Sequence, residues 1–195
     1  MKKIIFFLII VFSFQSWTKA DDIGDFQIEG MSIGDSLLDH YSLQEIKASE
    51  KNPTYYPKSK KFKEISFNAK NKELFNAITF SVKDKDKNFI IYGIKGAKYL
   101  SKSECLQQKE KVIKQVETIL PNISNTSYIA NYKNAYGNSK AYANEFLNKD
   151  DSYIRIWCSV WDKSNKIVKD SLWRDSLEIN VGSKTINNFL NNEAY

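Results

Sequence analysis

Few residues in this chain are equipped for chemistry. Cys105 and Cys158 are its only cysteines and His40 its only histidine. Two cysteines in a chain with an export-type leader are read first as one disulfide, and two thiols allow a single intramolecular pairing. Any Ser-His-Asp or Cys-His mechanism would have to run through His40. It sits between Asp39 and Tyr41, one step off an apolar stripe, which is the position of a surface histidine. A zinc site needs three or four ligands, and only carboxylates are left to join His40. Asp84, Asp86 and Asn88 occupy the first, third and fifth positions of a calcium loop, but Phe89 and Lys95 stand where that loop needs Gly and Glu, so a hairpin turn is expected. No metalloprotease, CxxC, phosphate-loop or dinucleotide signature is present. The expectation is therefore no metal and no cofactor. Glu145, Asp162, Asp170 and Asp175 are the carboxylates from which a hydrolytic acid pair would be drawn, provided that the fold brings two of them to one cleft.

The remaining candidate is a row rather than a motif. Tyr153, Arg155, Trp157 and Trp161 alternate along Ser152–Asp162, with Ile154, Ile156, Cys158 and Val160 between them. Period-2 alternation of aromatic and β-branched residues predicts a strand with large side chains on both faces. Aromatic faces beside an Arg offer flat contact area to sugar rings or partner side chains. The row therefore stands as a binding surface. The competing reading is a second core covered by an N-terminal helix bearing Leu37, Leu38 and Tyr41.

Other elements must position this strand. From Ser103 to Leu120, Cys105, Leu106, Val112, Ile113, Val116, Ile119 and Leu120 form one helical stripe, with Lys109, Glu110, Lys111, Lys114 and Glu117 bordering or opposing it; Pro121 stops the helix. A Cys105–Cys158 bond would pin it to the strand. Strands are predicted at Phe62–Asn68, Asn76–Lys83 and Trp173–Val181 by alternation, and at Asn88–Ile94 as an interior strand, since Phe89–Ile94 is apolar on both faces. Tyr128–Lys133 and Ser139–Leu147 read as a strand pair, or, from the tyrosines at 128, 132 and 136, as a short helix. Pro121–Ser127 reads as a link. A short strand at Phe26–Glu29 leads to a helix capped by Ser32, Ser42-Leu-Gln-Glu45 repeats a capping box, and Gly182-Ser183 opens a terminal helix with Ile186, Phe189 and Leu190 on one side. The fold class expected is α+β: an antiparallel sheet of about six strands, one long helix on a face, and smaller helices from both ends at the other face or edge.

Ile28-Glu-Gly-Met-Ser32 followed by an amphipathic segment resembles the Gly-Met-Ser/Thr helix start of β-lactamase-inhibitor-like repeats and of small outer-membrane assembly lipoproteins. That resemblance implies a structural envelope-assembly factor, although the lipoproteins' lipidated N-terminal Cys has no counterpart here. The longer pattern through Asp39, with the later Trp-Cys strand, is similar to uncharacterised small exported proteins of marine bacteria.

Lys2 and Lys3, the apolar run Ile4–Phe14 and Thr18-Lys19-Ala20 read as a cleavable signal peptide over 1–20, too short to span a bilayer. Residues 21–195 then form a single domain. Without the leader's three lysines, 26 basic residues face 23 acidic ones, too mild an excess for nucleic acid. The expectations are a periplasmic or secreted monomer with no stable membrane span, binding a glycan, lipid or protein; a carboxylate-dependent hydrolase is the enzymatic alternative.

Overall fold

The computed structural model describes residues 23–132 and 134–195. The predicted signal peptide, 1–20, lies outside them. The fold is α+β, built on one sheet of eight strands rather than about six. In chain order these are β1 (Thr54–Tyr55), β2 (Phe62–Asn68), β3 (Ala77–Lys83), β4 (Ile91–Tyr99), β5 (Ser124–Asn131), β6 (Lys140–Leu147), β7 (Tyr153–Val160) and β8 (Ser176–Gly182). Across the sheet they run β1-β2-β3-β4-β8-β7-β6-β5. Every adjacent pair is antiparallel. The helices are α1 (Leu43–Ser49), α2 (Lys102–Ile119), α3 (Lys166–Asp170) and α4 (Lys184–Asn192).

The α2 helix starts where its cap dictates. Ser101 Oγ accepts the Glu104 N–H, and the Glu104 carboxylate accepts the Ser101 N–H at 3.0 Å. Its inner stripe is Cys105, Lys109, Ile113 and Val116, spaced by four, four and three. It lies on the face of β7 that carries Ile154, Ile156 and Cys158, and Cys105 is bonded to Cys158 with 5.8 Å between α-carbons. Lys109 is a correction: it lies within the buried stripe and not at its border. Its ammonium donates to Asn144 Oδ1 on β6 at 2.7 Å. Asn144 Nδ2 in turn donates to Asn125 Oδ1, and Asn125 Nδ2 to Glu117 Oε1, so a polar chain returns to α2.

The N-terminal segment covers the same face, not the aromatic one. Tyr41 stacks on Phe67 at 4.1 Å and meets Phe80 edge-on, and Leu37 and Ile46 are fully buried in the same core as Cys158. Of the two end helices, only α4 reaches the other face. The helix expected from Ser32 is one 3-10 turn, Leu37–Asp39, capped by Ser36, because Gly34 at φ +95° breaks the chain path first. Ser42 does begin a helix, with both halves of its capping box formed. Phe26–Glu29 makes only an isolated bridge between Ile28 and Met31.

One buried charge cluster ties α1 and the β3–β4 turn to the sheet. Lys63 Nζ lies 2.8 Å from Glu50 and 3.3 Å from Asp84. Burial pulls the lysine pKa down, but hydrogen bonds and charge from the two acids win and leave it raised. Burial likewise pushes Glu50 and Asp84 up, and Lys63 outweighs it, with Lys47 helping at Glu50 and Tyr55 at Asp84, so both carboxyls are lowered. Depressed carboxyls contribute stability that is present above their unfolded values and lost as pH falls through the folded ones. Lys63→Met is expected to cost about 2 kcal/mol at neutral pH. In urea melts of both proteins, that gap should hold to about pH 5 and shrink below about pH 4.5. A gap that does not narrow in acid rules out the cluster as its source.

Candidate functional site

The second face of the sheet is partly open. Cross-strand register places its residues in rows. Arg155 on β7 pairs with Glu145 on β6 and Asn180 on β8; Asn180 pairs with Lys95 on β4, and Lys95 with Thr79 on β3. One row toward α4 come Tyr153, Gly182, Gly93, Ser81 and Glu64. One row the other way, Trp157 lies between Ala143 and Glu178.

The α4 helix closes one end of this face. Ile186 and Phe189 pack with Tyr56, Phe62 and Tyr153 into a small second core. The Tyr153 ring crowds Gly182, where a Cβ would come within 2.4 Å of ring carbons Cε1 and Cζ, so glycine is required there by contact and not by φ. Burial pushes the Tyr153 phenol up to about 12 and also raises that of Tyr56, which donates to Glu64 at 3.0 Å. Arg155 holds helix and sheet together. It stacks on the Tyr153 ring at 4.0 Å, donates through Nε to Glu145, and through Nη2 to Asn187 of α4 at 3.1 Å.

Between α4 and Trp157 remains a cleft of about 220 Å³. Tyr56, Tyr153, Trp157 and Tyr195 form its aromatic walls, Gly93 part of its floor, and Glu64, Lys95, Arg155 and Asn180 its polar groups. Trp157 Nε1 and Asn180 Nδ2 are buried and make no hydrogen bond. Buried N–H donors without partners are uncommon and costly, each by about 1–3 kcal/mol, and both of these nitrogens are shut off from solvent although their side chains line the cleft. Lys95 is held only loosely, 3.7 Å from Glu64.

The structure thus brings Tyr153, Arg155 and Trp157 together and separates Trp161 from them. Trp161 lies past the end of β7 and stacks on Tyr132 at 4.4 Å, with Trp173 and Tyr136 beside it. Tyr153 is mostly wall and Arg155 mostly clamp. Asn180 and Lys95 were not singled out by sequence. Asn180 carries one signal, since Ser176, Glu178 and Asn180 alternate with the inward Leu177, Ile179 and Val181; Lys95 carries none, because its same-face neighbours on β4 are Gly93 and Ala97. None of Glu145, Asp162, Asp170 and Asp175 lines the cleft. Glu145 is engaged by Arg155, Asp162 by Ser164 and the Asn138 N–H, and Asp175 by Lys163 and the Trp161 N–H. His40 lies 3.6 Å from Asp35 on the opposite side of the sheet. A larger cavity, about 560 Å³, also opens on that side between α2 and the N-terminal segment, over an apolar floor that includes Leu177 and Ile179.

No helix among the described residues is long and apolar enough to cross a membrane. Comparison with protein-family models, with curated proteins and with solved structures finds no match to this chain.

Proposed function

We propose that this is an exported, non-catalytic binding protein of the periplasm or the extracellular space, and that its cleft takes a glycan ring. The observation that carries the reading is the lining of the cleft, where the aromatic walls Tyr56, Tyr153, Trp157 and Tyr195 surround the polar side chains of Lys95, Arg155 and Asn180. A pyranose offers hydroxyl oxygens to polar side chains of this kind and an apolar C–H face to an indole or phenol ring. Lys95 adds a preference for acidic sugars. The buried disulfide fits an oxidising compartment, as the export-type leader does.

The test is a screen of immobilised neutral and acidic oligosaccharides, with phosphatidylglycerol vesicles alongside, using wild type, Trp157→Ala and Trp173→Ala. The last removes an aromatic residue outside the cleft. A glycan signal that falls about tenfold or more in Trp157→Ala, equivalent to about 1.4 kcal/mol, and survives in Trp173→Ala is expected. Binding to vesicles alone, or glycan binding indifferent to Trp157, overturns the proposal.

A further inference from the structure

The two edges of the sheet are built differently. β1 is two residues long, flanked by Pro53 and Pro57, and followed by Lys58, Lys60 and Lys61, all devices that discourage further strand pairing. β5 has eight residues, Ser-Asn-Thr-Ser-Tyr-Ile-Ala-Asn, with no charge and no proline. Tyr128 and Ile129 on it are 38% and 60% exposed. β5 is registered with β6 along its whole length. Just beyond it, Tyr132 donates its N–H to the Ser139 carbonyl at 3.1 Å. Inward and outward bonding alternate along an antiparallel ladder. Asn125, Ser127, Ile129 and Asn131 therefore turn their N–H and C=O groups away from β6, and no other described residue bonds to them.

We propose that this edge pairs with β5 of a second copy of the chain, antiparallel, about a two-fold axis through Tyr128. This register puts Ser127 opposite Ile129 of the second copy, and Asn125 opposite Asn131. Each outward-facing residue then meets another outward-facing residue, and every exposed backbone group finds a partner. The contact is self-complementary, as a two-fold interface requires. Charges beside the edge agree with it. Asn125 donates to Glu117, and Asn131 has the exposed Lys140 as its cross-strand neighbour. Antiparallel pairing brings the acidic end of one copy to the basic end of the other. Tyr128 faces its own copy across the axis on the open face of the sheet, a favourable aromatic cross-strand pair.

Sedimentation velocity from micromolar to several hundred micromolar reads the association, and cysteine cross-linking reads the register. Wild type is expected to form a dimer. Ser127→Lys/Ile129→Lys sets lysines against lysines across the axis and should be monomeric with an unchanged far-ultraviolet spectrum. Tyr128→Cys sits on the axis at a non-hydrogen-bonded pair, whose α-carbons at about 4.5 Å suit a disulfide. It should yield at least tenfold more covalent dimer than Thr126→Cys, whose opposite neighbour is Ala130. A wild type that stays monomeric throughout, or equal cross-linking by the two cysteine variants, overturns the proposal.

Discussion

Breaking the Cys105–Cys158 bond, by reduction or by Cys105→Ala/Cys158→Ala, is expected to lower the unfolding free energy by about 4 kcal/mol. The bond spans 53 positions. In the chain-entropy account, opening a loop of that size returns this much freedom to the unfolded chain. Both cysteines are fully buried between α2 and β7, so the folded structure around them changes little. The loss should appear in urea melts as a lower midpoint with a slightly steeper slope, because the uncrosslinked chain exposes more surface on unfolding. A loss below about 1 kcal/mol is incompatible with the bond being the main tether of α2. A glycan site on the other face should keep its affinity in the double variant under conditions where the protein remains folded, since the bond lies between α2 and β7 and the cleft opens on the opposite face.

Asn144→Leu is the second large effect, about 3 kcal/mol of lost stability. Lys109 is 6% exposed, and its short hydrogen bond goes to Asn144 Oδ1; Glu110 stands off at 3.8 Å. Removing the amide leaves an ammonium group in a hydrocarbon layer with its nearest acceptor gone. Replacing both partners is far milder, because no orphaned polar group remains. Lys109→Met/Asn144→Leu is therefore expected to recover about 2 kcal/mol relative to Asn144→Leu alone, measured as a double-mutant cycle in urea. Additive losses in the cycle reject the pair as a coupled unit.

The same lysine shows where sequence patterning stops. Cys105, Ile113 and Val116 were legible as a stripe, while Lys109 was set aside by its charge. What admits it is Asn144, which lies 35 positions away in sequence and on another element. The disulfide was legible because only one pairing exists. β2, β3, β7 and the core of β8 were legible because one side of each is buried, which imposes period-2 alternation. The sequence pattern ends β4 at Ile94, yet the strand continues to Tyr99 through Gly96 and Lys98. Glycine argues against a strand interior unless another group approaches closely, and a Cβ at Gly96 would meet the Phe75 ring. The first half of β5 reads as a link in sequence because neither face of an edge strand needs to be apolar; seven of its eight residues are exposed. In the cleft, Arg155 and Trp157 stood out by alternation. What covers Tyr153 did not, because that depends on which end of the chain returns to the second face.

The strand order carries one more consequence. β1 to β4 form one meander and β5 to β7 another, and β8 is inserted between them. Lys98 on β4 meets Leu177 on β8, 79 positions later. Until this keystone arrives, the two halves have no shared ladder, and Asn180 cannot join Lys95 to Arg155. Closure of so long a loop comes late and slowly. The chain thus stays in two loosely associated halves through most of its emergence, and the cleft comes into being only with the final assembly step.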